Sequence, residues 1–219
     1  MSLKITPIRL HYLFGVNCYL IENEKGYYLV DTAIKKVRKQ LDSEIHAAGC
    51  RQGDLKLVIL THGHIDHVGN AAYIKDKYGG KIAMHIADSG MVTSGNMFGD
   101  ESGLMVKIVG FFMRLLGLSS FERFAPDVYL EEGQSLSAYG LDATIIHNPG
   151  HSPGSVSLLT SEGDLFCGDL YTNDKHPEKA SIIHDRELLD RSYERLKDFD
   201  VKMVYPGHGK PFPGEQIPS

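Results

Sequence analysis

The chain reads as a single layered α/β domain, on three observations. Short aliphatic runs alternate with segments of helical period in both halves. No stretch rich in Pro, Gly or Ser divides the halves. Metal-capable side chains recur at the ends of the aliphatic runs or in the loops just after them, where ligands gather in layered α/β proteins. A chain of 219 residues, 42% hydrophobic and 23% charged, has enough apolar material for one well-packed core. One domain over 1–219 is the expectation.

Taken in order, Ile5 to Leu10, Cys18 to Glu22 and Tyr27 to Val30 read as short strands, with turns at Phe14-Gly15 and Asn23 to Gly26. Asp31 and Thr32 stand where helix caps belong. Ile34, Val37, Leu41, Ile45 and Ala48 follow at helical spacing, and Gly49 closes that helix. Leu55 to Leu60 is a buried strand by its aliphatic content. A helix is expected around Asn70 to Tyr78, stopped by Gly79-Gly80, and then a strand over Lys81 to His85. In the second half, strands are expected over Ala143 to His147, Ser155 to Leu159, Leu165 to Cys167 and Val201 to Tyr205. Asp185 to Phe199 is a helix with Leu188, Leu189, Leu196 and Phe199 on its apolar face.

Between Ala87 and Ala125 lies a segment outside this alternation. It carries Leu104, Ile108, Phe111, Phe112, Leu115 and Leu116 at helical spacing, with Lys107, Gly110, Arg114 and Gly117 on the narrow opposite face. A helix over 104–118 would be too apolar for a lone surface helix and too short and charged to span a membrane. A plain core helix, a wall for an apolar substrate group and a homodimer contact are all consistent with it, a membrane-surface role less so.

The bulk numbers remove several classes. A net charge of −5 without a long basic run argues against nucleic acid as the partner. Cys18, Cys50 and Cys167 are odd in number and far apart, which suits reduced thiols and not a disulfide framework. No leader-like pattern and no long apolar stretch is visible, so no stable membrane insertion is expected, and a cytoplasmic location is the default.

The chemistry concentrates in Thr61-His62-Gly63-His64-Ile65-Asp66-His67, directly after the aliphatic strand. His62 and His64 are two apart and project to one side where the strand ends, with Asp66 and His67 on the following turn. Imidazole with carboxylate suits zinc, iron or manganese better than calcium or magnesium. His151 stands in Asn148-Pro149-Gly150-His151-Ser152-Pro153-Gly154, Asp169 follows Phe166-Cys167-Gly168, and His208 stands in Pro206-Gly207-His208-Gly209.

In these residues the chain resembles the metallo-β-lactamase superfamily. That family's pattern is His-x-His-x-Asp-His, then a distant His, an Asp and a final His, here His62, His64, Asp66, His67, His151, Asp169 and His208. Val30-Asp31-Thr32 is similar to the family's early Asp motif, which supports the metal loop without ligating. Asn70 departs from the pattern, standing where the family usually has glycine, and is expected to perturb packing slightly. The resemblance covers essentially the whole chain outside 87–125. It implies a four-layered αβ/βα sandwich with the site at one edge between two sheets. It also implies two divalent metal ions, zinc first, with iron or manganese as alternatives. His62, His64 and His151 would hold one ion, and Asp66, His67 and His208 the other, with Asp169 bridging. A metal-bridging hydroxide would then attack the substrate, with Asp66 orienting it and taking its proton.

The bridging aspartate resembles the glyoxalase II, thioesterase and lactonase branches; the true β-lactamases generally carry Cys or Ser there. The resemblance therefore implies a hydrolase acting on an ester-like bond (thioester, lactone or ester) of a small molecule. Glyoxalase II adds a C-terminal glutathione-binding region, whereas Ser219 comes soon after His208, so glutathione recognition is not expected. The competing class is an iron-dependent redox member of the fold, such as a persulfide dioxygenase. Tyr171, two residues past Asp169, is a further catalytic candidate as a hydrogen-bond donor, with core packing as the alternative. Tyr12 and Phe14 lie near where family members place substrate-facing side chains. His85 and His147 match no ligand position, and Cys167 reads as a core residue.

Overall fold

Period-two burial sorts the strands into two sheets that face each other across a shared core. The computed structural model describes residues 3–12, 14–96 and 120–218. The first sheet runs in chain order through β1 (Lys4–Tyr12), β2 (Phe14–Asn23), β3 (Gly26–Val30), β4 (Leu55–Ile59), β5 (Lys81–His85) and β6 (Val128–Leu130). β1 to β3 form an antiparallel meander, and β3 to β6 are parallel. Parallel strands are covered on both faces, which explains why Leu57, Val58 and Ile59 are all buried.

The second sheet contains β7 (Ala143–His147), β8 (Val156–Thr160), β9 (Asp164–Asn173), β10 (Glu178–Lys179), β11 (Met203–Gly209) and β12 (Phe212–Pro213). Its order is β12-β11-β9-β8-β7, with β10 on β9; β9 and β11 are parallel and the remaining pairs antiparallel.

Tyr19, Ile21, Tyr28, Val30, Leu57 and Ile59 point from the first sheet into the inter-sheet core. They meet Leu136, Ala143, Ile145, Val156, Leu158 and Phe166 from the second. On the outer face of the first sheet, Leu41 and Ile45 of α1 (Arg38–Ala47) pack with Ala71, Ile74 and Tyr78 of α3 (Ala71–Tyr78) against Leu20, Leu29 and Val58. On the outer face of the second sheet, Leu189, Tyr193 and Leu196 of α5 (Arg186–Leu196) pack on Ile146, Leu165 and Val204. The layers are helix, sheet, sheet, helix, the four-layered αβ/βα sandwich expected from the sequence. Two further helices, α2 (Ile65–Val68) and α4 (Ile86–Ser94), stand at the edge where the ligand loops emerge.

Polar links tie the sheets together at that edge. Tyr19 Oη donates to Pro206 O at 2.6 Å, Asn17 Nδ2 to Pro206 O and Gly209 O at 2.9 and 2.8 Å, and Val156 N to Thr61 O at 2.8 Å.

Several expectations need correction. Asp31 and Thr32 do not cap α1, which is entered through a 3-10 turn at Lys35–Val37 with no side-chain cap. Asp31 takes a left-handed conformation (φ 59°) that swings its carboxylate toward the ligand loop. Phe14 and Gly15 belong to β2, and α5 stops at Leu196, short of Phe199. The expected insertion over 87–125 begins with α4; its apolar 104–118 portion lies outside the described residues. Among the described residues, no helix is long and apolar enough to cross a membrane.

Candidate metal centre

The chain leaves β4 at Ile59, and the next residues carry His62 and His64 to the sheet edge before α2 begins. His64 is the N-cap residue of α2, so Asp66 and His67 fall on its first turn. His151 comes from the loop between β7 and β8. Asp169 lies within β9, beside Gly168 at φ 52°, where the pairing with β11 shifts register. His208 lies in the last residues of β11 and not beyond it.

All seven predicted ligands are brought together. Three groups have ligand atoms within 4.8 Å of one another: His62, His64 and His151; His62, His67 and Asp169; and Asp66, His67 and His208. In the first, His151 Nε2 is 3.2 Å from His62 Nε2 and 3.0 Å from His64 Nδ1. In the last, His208 Nε2 is 3.4 Å from Asp66 Oδ2, and His67 Nε2 is 3.8 Å from the same oxygen. Asp169 reaches both sides: Oδ1 is 3.3 Å from His67 Nε2, and Oδ2 is 3.4 Å from His208 Nε2 and 3.7 Å from His151 Nε2.

The opposite ring nitrogens are held from behind. His67 Nδ1 is 2.8 Å from Asp31 Oδ2, His151 Nδ1 is 2.8 Å from Ile182 O, and His208 Nδ1 is 2.6 Å from Gly15 O. His62 Nδ1 is 3.1 Å from Thr61 Oγ1, whose hydroxyl donates to Asp31 Oδ2 at 2.8 Å. Each contact keeps a proton on Nδ1 and turns Nε2 inward, the orientation metal-ligating histidines require. His64, whose Nδ1 faces the centre, is the exception.

Charge divides the cluster. Burial, then the neighbouring His67, His64 and His151, pushes His62 well below its usual value; burial and His151 bring His64 to about 4. Burial also works against a proton on His208, but Asp169 and Asp66 outweigh it and lift His208 to about 10. His67 is raised in the same way by Asp169, Asp31 and Asp66 against burial. Asp169 is held well below the usual carboxylate range, His67 and His208 overcoming burial.

His67 Nε2 and Asp169 Oδ1 are buried 3.3 Å apart, an ion-pair contact that leaves neither with a well-formed hydrogen bond. Such under-satisfied groups cost about 1–3 kcal/mol each unless something satisfies them. Imidazole nitrogens and carboxylate oxygens converging on two adjacent points are the donor set of borderline divalent ions, so the residues present fit two of them.

Other candidates fall elsewhere. Tyr171 is not brought to the ligands. Its ring is buried in the outer core of the second sheet, 5.3 Å from Tyr193 and 6.4 Å from Phe212, a position that suits packing. Tyr12 packs against the outer core of the first sheet. His85 and His147 stack on each other with ring centroids 3.9 Å apart and belong to none of the ligand groups. Burial pushes the Cys167 thiol up to about 12, which leaves it protonated and inert.

Asn70 does more than perturb packing. It is fully buried, Nδ2 donates to Thr32 O at 2.7 Å and Ile34 O at 2.9 Å, and Oδ1 accepts from Arg38 Nε at 3.0 Å. It ties the segment after Asp31 to the end of the ligand loop. The sequence did not mark Asp88 or Ile182 as partners of the ligand loops. A lone helical Asp and an apolar residue acting through its carbonyl leave no pattern.

The family model described as the metallo-beta-lactamase superfamily matches residues 11–208. Hydroxyacylglutathione hydrolase GloC of Haemophilus influenzae is 29% identical over 173 residues, covering 78% of this chain and 72% of that protein. Probable metallo-hydrolase YflN of Bacillus subtilis is 26% identical over 228 residues, covering 93% and 84%. Among solved structures, BLEG-1 B3 metallo-beta-lactamase superposes with a TM-score of 0.76 at 22% identity, covering 97% of this chain and 95% of that one. TTHA1623 in a di-iron-bound form gives 0.73 at 25% identity, covering 97% and 98%. The superfamily binds divalent metals, and its members are mostly metal-dependent hydrolases. The match runs from the first hairpin to the last histidine of the cluster, and this chain belongs to the metallo-β-lactamase superfamily.

Proposed function

We propose that the chain is a dinuclear, zinc-dependent hydrolase that cleaves an ester-like bond in a small molecule, a thioester or lactone ahead of an amide. The observation that carries this reading is Asp169, whose two carboxylate oxygens reach histidines of both triads. A shared carboxylate screens two cations from each other and favours a paired centre over two separate ones. The relationship to a hydroxyacylglutathione hydrolase supports the thioester class.

His62, His64 and His151 would hold one ion, and Asp66, His67 and His208 the other, with Asp169 between them. Bound ions would polarise a carbonyl oxygen and supply a water-derived nucleophile near neutral pH. The protein's own contribution is placement and proton handling. Asp66 has a side chain 36% exposed, against 12% for Asp169. It is therefore the carboxylate open to substrate. Burial raises its pKa, but His67 and His208 outweigh this and keep it ionised at neutral pH. With Oδ2 turned to His67 and His208, an ionised, accessible carboxylate can orient the attacking water and take its proton at Oδ1.

The test is a panel comprising a thioester, an acyl-homoserine lactone, an aryl ester and a cephalosporin, offered to zinc- and manganese-loaded protein with Asp66→Ala alongside. Turnover of one member, lost in the variant while metal stays bound, is the expected result. No turnover above the variant would refute the reading. The di-iron neighbour favours one other reading, an iron-dependent redox enzyme such as a persulfide dioxygenase. Iron bound on purification, together with a silent panel, would select it. Three buried, unpaired thiols fit a reducing compartment, so a cytoplasmic single-domain enzyme over 1–219 is part of the same proposal.

A further inference from the structure

Asp88 lies in the first turn of α4 and is completely buried, yet it belongs to none of the ligand groups. Its Oδ2 accepts from Gly63 N at 2.7 Å and from Ser152 Oγ at 2.7 Å, and its Oδ1 accepts from Gly154 N at 2.7 Å. Gly63 separates His62 from His64. Ser152 follows His151, and its hydroxyl also pairs with Ser155 Oγ at 2.8 Å. One carboxylate thus holds both loops of the first triad, one loop from each sheet.

Packing around this contact is tight. A Cβ on Gly63 would stand 2.7 Å from Met91 Sδ and 3.1 Å from Asp88 Cβ. One on Gly154 would stand 2.7 Å from Asp88 Oδ1. Real side chains do not approach so closely, so the glycines at 63 and 154 make room for α4. Ligation alone asks for neither of them.

We infer that Asp88 is the positioning residue of the first triad. It sets the separation of the His62–His64 loop from the His151 loop before an ion arrives, so that the three nitrogens already converge. His67 and His208 have no bond to Asp88, and the second triad is positioned through Asp31 and Gly15 instead. The inference rests on the metal-centre reading above and on no particular substrate.

The test is a zinc titration against a competing chelator for wild type, Asp88→Asn and Ser152→Ala, with the histidine ring resonances assigning each step. Asp88→Asn keeps the shape, but in either amide orientation its NH2 faces a backbone N–H that the carboxylate had accepted. Affinity of the His62–His64–His151 site should fall 10–100-fold, as for other groups that orient a ligand, while the Asp66–His67–His208 site changes by less than about threefold. Hydrogen exchange at the Gly63 and Gly154 amides should quicken in the metal-free variant. Ser152→Ala removes one of the three bonds and should shift the same site in the same direction by a smaller factor, which keeps the test alive if Asp88→Asn does not fold. Equal weakening of both sites, or of neither, would overturn the inference and leave Asp88 a packing group. A wild-type protein that takes up no zinc would instead overturn the metal-centre reading, and the inference with it.

Discussion

Loading the centre with metal should expel protons from His67 and His208 and not from His62 and His64. In the metal-free protein His208 sits at about 10 and His67 is raised as well, so both rings are charged at pH 7. His62 and His64 are pushed down, His64 to about 4, so both are already neutral. A metal needs the unprotonated ring, so saturation at pH 7 should release about one proton each from His67 and His208 and none from His62 or His64. Each released proton makes apparent affinity rise about tenfold per pH unit, or about 1.4 kcal/mol. Calorimetry in buffers of different ionisation enthalpy counts these protons directly. Replacing His208 with Gln should lower the count by about one, since its ring is charged beforehand. Replacing His64 with Gln should leave it unchanged. Equal losses in the two variants, or none in either, would refute the division of charge within the cluster.

Three further outcomes follow from the same contacts. Asn70→Ala removes a buried side chain with bonds to Thr32, Ile34 and Arg38, and should cost about 1–3 kcal/mol in denaturant unfolding of the metal-free protein. Tyr171→Phe should leave turnover of the responsive panel substrate within about twofold, because the ring packs in the outer core; a hundredfold loss, typical of a missing catalytic donor, would contradict that placement. The raised His208 contributes stability in full below about 6.5, its ordinary value, and loses it as pH rises through about 10. Metal-free protein should therefore melt lower at pH 10 than at pH 7 from this group, while metal-loaded protein lacks that contribution.

The clustering of the seven candidate ligands is legible because coordination chemistry restricts residue type and because His62, His64, Asp66 and His67 are crowded into one loop. Strands Lys81–His85 and Ala143–His147 were read at their true limits, since aliphatic runs bounded by turn residues leave little freedom. Val128–Leu130, Glu178–Lys179 and Phe212–Pro213 were missed because two or three residues cannot display a period. The four-residue helix Ile65–Val68 looks like a turn in the sequence for the same reason. Asp31 was ambiguous: an Asp ahead of a helical pattern looks like a cap, and only its left-handed backbone sends the carboxylate to Thr61 and His67. Asp88 was silent, because a solvated first-turn aspartate and a buried one bridging two loops read alike in one dimension.

The ligands come from both sheets in a particular division. Segments of the first sheet supply His62, His64, Asp66 and His67, while the second supplies His151, Asp169 and His208. Neither half carries a complete triad, and each proposed ion draws on both. Binding of an ion and closure of the sandwich at this edge are then linked, each favouring the other. Chelation should therefore lower the stability of the seam between the halves without opening it, and any substrate that pulls on the ions would also pull on that seam.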